Sequence, residues 1–172
     1  QSSCLDADAG YYVASTGSSN QTACASGTYQ SSTGQPSCLD APAGTYVDTM
    51  GATSPTDCSV GTYQPLTGQT SCLDASPGYY VATTASTTQI ACGLGTYQPN
   101  SGQISCIDAS PGNYVNTTAS TNQTACDLGT YQPDSGQSSC LDAPAGTYVD
   151  TMGAISSTDC SIGSYQNQTG QI

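Results

Sequence analysis

The chain has 172 residues and a formal net charge of −12 at pH 7, because all of its charged residues are aspartates. Leu, Ile and Val are scarce and Phe and Trp are absent, so the composition excludes folding around a large apolar core. Without Lys or Arg the chain cannot neutralise phosphates, and no apolar run approaches the ~20 residues of a membrane span, so we expect neither nucleic acid binding nor membrane insertion.

Ten cysteines recur along the chain with a longer and a shorter gap in strict alternation. They are Cys4, Cys24, Cys38, Cys58, Cys72, Cys92, Cys106, Cys126, Cys140 and Cys160. In a chain with so little apolar material, regularly spaced cysteines indicate a disulfide framework, which persists only in oxidising surroundings. We therefore expect an extracellular or cell-surface location.

One longer and one shorter gap together make a 34-residue repeat, which sets the domain organisation. The predicted units are 1–34, 35–68, 69–102, 103–136 and 137–170, and residues 171–172 open a further repeat. A Gly-x-Tyr motif recurs twice in each unit, at Gly10, Gly27, Gly44 and so on to Gly163, so each unit contains two half-units. Most of those with cysteine read Cys-x-x-Gly-Thr-Tyr-Gln, and the others read Ala-x-x-Gly-x-Tyr-Val; we call them cysteine and alanine half-units.

The predicted secondary structure consists of short strands. No apolar face recurs at the helical period, and Gly, Pro, Ser and Thr interrupt every window, so helices are not expected. Triplets such as Thr-Tyr-Gln and Tyr-Tyr-Val favour strands. We expect the repeated tyrosine to fill each half-unit, with the extra Tyr11 and Tyr79 exposed. The predicted fold is a small disulfide-rich all-β repeat, an elongated, rod-like array of five 34-residue units.

Two pairing schemes are open for the cysteines. Bonds across the longer gaps would be Cys4–Cys24, Cys38–Cys58, Cys72–Cys92, Cys106–Cys126 and Cys140–Cys160. Bonds across the shorter gaps would be Cys24–Cys38, Cys58–Cys72, Cys92–Cys106 and Cys126–Cys140, with Cys4 and Cys160 paired outside this chain. We favour the second scheme because alanine half-units lack cysteine at both equivalent positions, for example Ala41 and Pro55, and bonded partners should be lost together.

The cysteine loop resembles a known repeat. It reads Cys-x-x-Gly-Thr-Tyr and closes with a second cysteine nine residues after the tyrosine, as in ephrin-receptor-like cysteine-rich arrays and the first half-module of tumour-necrosis-factor-receptor cysteine-rich domains. In those families the two cysteines of the loop bond to each other, so the resemblance implies the same pairing and an elongated extracellular array. They usually have Cys-x-x-Cys before the glycine, where this chain has Cys-Leu-Asp-Ala, so half of the bridges are missing.

Five aspartates, Asp6, Asp40, Asp74, Asp108 and Asp142, each follow a cysteine by two residues. We expect them to form Asx turns ahead of the glycine. Calcium requires six to eight oxygen ligands, usually with several carboxylates in one short loop. The calcium candidates are therefore the two groups of three, namely Asp40, Asp48 and Asp57, and Asp142, Asp150 and Asp159. No other cofactor is predicted.

Covalent glycans are expected partners of this chain. Asn20, Asn116, Asn122 and Asn167 lie in the Asn-x-Thr acceptor pattern for N-glycosylation. Ser and Thr are abundant throughout, and stretches such as the one that contains Thr83, Thr84, Thr87 and Thr88 are candidate carriers of O-glycans.

The sequence predicts a structural protein and no enzyme, because His, Lys, Glu and Arg, the usual acids, bases and anion ligands, are absent. The first hypothesis is an extracellular fibre, stalk or surface filament that carries glycans, in which copies or further repeats continue end to end. The alternative is a cell-surface recognition ectodomain that binds a protein or a carbohydrate.

Overall fold

The computed structural model describes residues 4–172, and these contain two-residue β-strands and no helix. The chain forms two bodies, the first made of Gln1–Ala75 with Val81–Gln89 and the second of Ser76–Tyr80 with Ile90–Ile172. The predicted all-β repeat fold without helices is therefore confirmed for the described residues.

Every half-unit with a described hairpin pairs one strand after the Gly-x-Tyr glycine with one just before the next half-unit's cysteine or alanine. In the first body the strands are β1 (Tyr11–Tyr12), β2 (Thr22–Ala23), β3 (Thr28–Tyr29), β4 (Leu39–Asp40), β5 (Thr45–Tyr46), β6 (Thr56–Asp57), β7 (Thr62–Tyr63) and β8 (Leu73–Asp74). They pair antiparallel as β1–β2, β3–β4, β5–β6 and β7–β8. In the β3–β4 register Thr28 lies opposite Asp40 and Tyr29 opposite Leu39.

The second body repeats the same hairpin five times. Its strands are β9 (Tyr79–Tyr80), β10 (Ile90–Ala91), β11 (Thr96–Tyr97), β12 (Ile107–Asp108), β13 (Asn113–Tyr114), β14 (Thr124–Ala125), β15 (Thr130–Tyr131), β16 (Leu141–Asp142), β17 (Thr147–Tyr148) and β18 (Thr158–Asp159). Consecutive strands pair antiparallel. In the first body, hairpin β3–β4 spans the predicted boundary between residues 34 and 35. A repeat defined by whole hairpins therefore has the same length but starts at another residue.

The glycine of each Gly-x-Tyr motif makes the turn that starts the hairpin. In the half-unit of Gly27, the Thr28 N–H donates to the Ala25 carbonyl at 3.0 Å, and the Thr28 hydroxyl donates to the same oxygen at 2.7 Å. Gly27, the third residue of this turn, has φ of +87°, as a type II turn requires there. Glycine is favoured because an L side chain rarely adopts this conformation.

Backbone hydrogen bonds join each half-unit to those that follow it in the same body. The Gly27 N–H donates to the Val47 carbonyl at 2.7 Å, and the Gly51 N–H donates to the Cys24 carbonyl at 2.8 Å. Equivalent bonds recur down both bodies, for example from Gly95 to Val115 at 2.8 Å. Since two-residue hairpins are too short to be stable alone, this ladder supplies order that each hairpin lacks.

In most half-units the same glycine also lies against the backbone carbonyl of a glycine or alanine two half-units further along the chain, whereas Gly146 and Gly163 face open space. A Cβ placed on Gly95 would overlap the carbonyl group of Gly136, and one on Gly27 would overlap that of Gly68. The close approach of two main chains leaves no room for any side chain. The motif therefore requires glycine for its φ angle and for this contact.

The buried positions are small side chains. Cysteine or alanine three residues before the glycine is buried in every described half-unit except that of Cys160, and in the interior half-units the residue after the tyrosine is usually a buried valine or glutamine. The repeated tyrosines are half-buried except Tyr165, which is exposed, so the prediction that they fill each half-unit is only partly met. Tyr11 and Tyr79 are also half-buried, not exposed, and the Tyr11 ring lies near Gly51.

Candidate functional site

The four disulfides of the structure close the cysteine loops. They join Cys24 to Cys38, Cys58 to Cys72, Cys92 to Cys106 and Cys126 to Cys140, with Cα–Cα distances of 5.7 to 5.8 Å. These are the pairs that the joint loss of both cysteines favoured, and the scheme across the longer gaps is wrong. Cys4 and Cys160 are free in the described part of the chain, and their partners outside it remain a prediction.

In alanine half-units, hydrogen bonds from a glutamine side chain span the loop that a disulfide closes in cysteine half-units. Gln21 occupies the place of the second cysteine; its side-chain carbonyl accepts from the Asp8 N–H, and its amide donates to the Asp8 carboxylate, both at 2.7 Å. The side chain of Gln123 accepts from the Ser110 N–H at 2.7 Å in the same way. Hydrogen bonds from one glutamine therefore replace the bridge in these half-units.

Two alanine half-units have proline at the position from which Asp8 and Ser110 donate this N–H. Pro42 and Pro144 carry no N–H, and the positions of the glutamine are Pro55 and Ser157. Glutamine is thus present where a donor must be satisfied and absent where proline has removed it. The sequence contained this correlation between the glutamine and the residue after the buried alanine. Its meaning became clear only from the structure, in which these two positions are hydrogen-bonded.

A second glutamine, directly after the tyrosine of cysteine half-units, is buried and was not identified from the sequence. The side chain of Gln64 is 3% exposed; its amide donates to the Ser71 carbonyl at 2.8 Å, and its carbonyl accepts from the Leu66 N–H at 3.1 Å. Gln30, Gln98 and Gln132 make the same two bonds. The glutamine therefore fixes both sides of the turn before the second cysteine.

Replacing Gln64 by alanine should lower the free energy of unfolding by about 2 kcal/mol, because it leaves the Leu66 N–H and Ser71 carbonyl without their partner. Urea denaturation of the oxidised protein measures this change. Gln69→Ala is the matched control, since its side chain makes only an exposed bond to the Thr67 carbonyl, and it should cost less than about 0.5 kcal/mol. Equal losses in both variants would contradict the assigned role of Gln64.

The aspartates do not assemble as predicted. Asp40, Asp74, Asp108 and Asp142 lie in strands, so the Asx turns expected for them are wrong. The Asp40 carboxylate lies near Gly68, whereas Asp48 and Asp57 line a separate groove. No group of three His, Cys, Asp or Glu side chains that could hold a metal ion occurs within residues 4–172. The structure therefore does not gather either calcium triad, including Asp142, Asp150 and Asp159.

The groove with these two aspartates is an open depression beside the Cys58–Cys72 bridge of the first body. Its walls include Tyr46, Asp48, Asp57 and Thr62. An aromatic ring beside carboxylates and hydroxyls is a surface that a polar ligand could contact, although the groove holds no buried polar side chain.

All predicted glycan acceptors are on the surface. The four asparagines, Asn20, Asn116, Asn122 and Asn167, are exposed, as are Thr83, Thr84, Thr87 and Thr88. The Thr83 hydroxyl lies 2.9 Å from that of Ser86, within hydrogen-bonding distance. Accessibility therefore allows modification at each of these positions.

The chain matches one known family of repeats. A family model described as "tyrosine-protein kinase ephrin type A/B receptor-like" matches residues 10–58, 78–126 and 112–160, which together cover more than half of the chain. No curated protein matches the chain. Within the described residues there is no helix long and apolar enough to cross a membrane.

Proposed function

Because the chain belongs to the ephrin type A/B receptor-like family of cysteine-rich repeats, we propose that it is an extracellular structural protein whose repeats form or extend a fibre, stalk or surface filament. Repeats of this type are generally non-catalytic, and the chain has no His, Lys, Glu or Arg to act in catalysis. The bridges require an oxidising compartment, which supports a location outside the cell.

One observation carries the proposal: the same backbone hydrogen bonds join successive half-units down each body. The bond from Gly27 to the Val47 carbonyl in the first body recurs from Gly95 to the Val115 carbonyl in the second. A ladder that recurs with the 34-residue period can be extended by adding repeats, since each new repeat meets the same surface as the one before. A rod-like array of copies or further repeats, joined end to end, follows from this property.

We propose that glycans coat this array. Asn20, Asn116, Asn122 and Asn167 are exposed acceptors, and Thr83, Thr84, Thr87 and Thr88 are exposed hydroxyls. Hydrophilic chains of this kind would keep neighbouring arrays apart and protect an apolar-poor polypeptide from proteases. The expected intact mass is well above the 17.3 kDa of the bare polypeptide and falls after enzymatic deglycosylation.

Electron microscopy of native material tests the structural role. We expect filaments with a regular spacing along their length. This spacing should disappear when the sample is reduced and alkylated, because the order of the repeats depends on the disulfides. Filaments that survive reduction unchanged would contradict the role given to the disulfides. Discrete particles in place of filaments would contradict the fibre proposal itself.

The second candidate is a recognition ectodomain, and one local observation favours it. The groove lined by Tyr46, Asp48, Asp57 and Thr62 offers a ring and polar groups to a carbohydrate or a protein. A Tyr46→Ala variant that lost binding to a carbohydrate array, with its disulfides intact, would support this candidate. Discrete particles by electron microscopy together with such binding would favour recognition over the fibre.

A further inference from the structure

We propose that a small thiol opens each disulfide of this chain from one side only. The attacked sulfur is that of the second cysteine in the loop, and the first cysteine is the leaving group. At the Cys58–Cys72 bridge, Asp48 and Asp57 in addition slow the attack of anionic thiols. This chemistry is independent of the fibre role, because it depends on the burial and charge around single bridges.

The two cysteines of every bridge differ in burial. The first cysteine of each loop is 0% exposed, which applies to Cys24, Cys58, Cys92 and Cys126. The second cysteine is half-buried, which applies to Cys38, Cys72, Cys106 and Cys140. Thiol–disulfide exchange requires access to the sulfur that is attacked. Since no solvent reaches the first cysteine of the folded chain, the second cysteine is the point of attack.

The Cys58–Cys72 bridge shows where an attacking thiol can approach. Cys72 lines the open groove together with Tyr46, Asp48 and Asp57, whereas Cys58 is not among the residues that line it. A thiol of a few heavy atoms that enters this groove therefore contacts Cys72 before it can contact Cys58.

The exchange itself breaks one sulfur–sulfur bond and forms another. The thiolate of the small molecule attacks the Cys72 sulfur, and the electron pair of the broken bond stays on the Cys58 sulfur. Because burial disfavours a charged group, the released sulfur takes a proton from water and becomes a thiol. The product carries a mixed disulfide at Cys72 and a free thiol at Cys58, and no further oxidant or reductant is consumed.

The backbone holds the first cysteine in place while the bridge is open. The Cys58 N–H donates to the Gly44 carbonyl at 2.9 Å, and the Cys58 carbonyl accepts from the Ala85 N–H at 2.8 Å. Neither bond involves sulfur, so both remain after the exchange. The Cys58 thiol, as its thiolate, can then attack the Cys72 sulfur of the mixed disulfide and expel the small thiol, which restores the bridge.

Charge distinguishes this bridge from the one in the next repeat. Asp48 and Asp57 are exposed and line the groove beside Cys72. At the equivalent positions before Cys106 the chain has Ala82 and Ala91. The chain contains no Lys or Arg that could offset the two carboxylates. They therefore repel an anionic thiol near Cys72 and attract a cationic one.

The direction of attack is tested on the folded, oxidised chain with cysteamine at low concentration. The reaction is stopped with acid, and the free thiols are alkylated after denaturation and located by peptide mapping. Cysteamine should be found on the second cysteines and the alkyl group on the first, with at least about a tenfold preference. Removal of cysteamine before alkylation should restore all four bridges. Equal adducts on both cysteines, or none before urea unfolds the chain, would overturn the proposal.

The role of charge is tested by comparing cysteamine, a cationic thiol, with the anionic mercaptoacetate at equal thiolate concentration. The ratio of the two exchange rates should be about tenfold higher at Cys72 than at Cys106. In about 1 M salt, where the screening length falls to about 3 Å, this difference should shrink. Equal ratios at the two cysteines in low salt would contradict the role given to Asp48 and Asp57.

Two double variants separate the local carboxylates from the net charge. Asp48→Ala with Asp57→Ala gives this groove the alanines of the next repeat, and it should bring the rate ratio at Cys72 to that at Cys106. Asp150→Ala with Asp159→Ala removes the same charge at equivalent positions outside the groove, and it should leave the ratio at Cys72 unchanged. A similar fall in both variants would show that net charge alone, and not the groove, selects the thiol.

Discussion

Replacing Gly95 by alanine should lower the free energy of unfolding by about 2–5 kcal/mol, because backbone strain and overpacking add together. The new methyl group would overlap the carbonyl of Gly136, and the residue would also have to hold a φ of +79°. A left-handed backbone costs an L residue about 1–2 kcal/mol, and overpacking against a main chain that cannot rotate away adds about 1–3 kcal/mol. Urea denaturation measures the loss of stability, and faster hydrogen exchange of the backbone N–H at position 95 of the variant reports the local opening.

Gly146→Ala is the control that separates the two causes. Gly146 has φ of +87°, close to that of Gly95, but open space surrounds its Cβ position. It should therefore lose only the backbone contribution, about 1–2 kcal/mol. If the two variants were equally unstable, the contact between half-units at Gly136 would have no energetic importance.

Removal of one bridge is the second large effect. The double variant Cys58→Ala with Cys72→Gln gives this loop the residues that alanine half-units carry, and it should lose about 3 kcal/mol because a loop of about 15 residues is no longer closed in the unfolded chain. Alanine fits the buried position, since Ala41 and Ala75 are fully buried at the equivalent places. A urea midpoint in oxidising buffer reports the change.

The reverse substitution tests the same reasoning from the other side. Ala41→Cys with Pro55→Cys places a thiol pair at the spacing of the native bridges in a half-unit that has none. A fifth bridge should form and raise stability by up to about 3 kcal/mol. Two unreacted thiols in this variant would show that alanine half-units differ in backbone geometry from the cysteine half-units.

The disulfide scheme could be read from the sequence, and so could the hairpin period. Ala41 and Pro55 replace cysteine together, and this joint replacement favoured the pairing that the structure shows, although the rival scheme was excluded only by the coordinates. Glycine followed by Thr-Tyr or Tyr-Tyr also indicated the turn and first strand of every hairpin except the one that starts with Asn113–Tyr114. These features depend on residues within one half-unit, so local patterns were sufficient.

The features that were missed depend on contacts between half-units or across a loop. The burial of Gln64 follows from its bonds to the Leu66 N–H and the Ser71 carbonyl, and nothing within the half-unit's sequence distinguished it from glutamines that stay exposed. The aspartates were expected in turns because Asp favours them, but pairing with Thr28 places Asp40 in a strand. Tertiary pairing overrode local preference at these positions.

The ladder also has a consequence for how such chains change over generations. A gene with nearly identical tandem segments is prone to unequal recombination, which adds or removes whole segments. A chain that gained or lost a whole repeat would still form, at every junction, the bond that the Gly27 N–H makes with the Val47 carbonyl. Chains with different numbers of repeats should therefore all fold. A slip by a single half-unit would instead bring a bridged segment next to its own kind, and we expect natural length variants to differ by whole repeats.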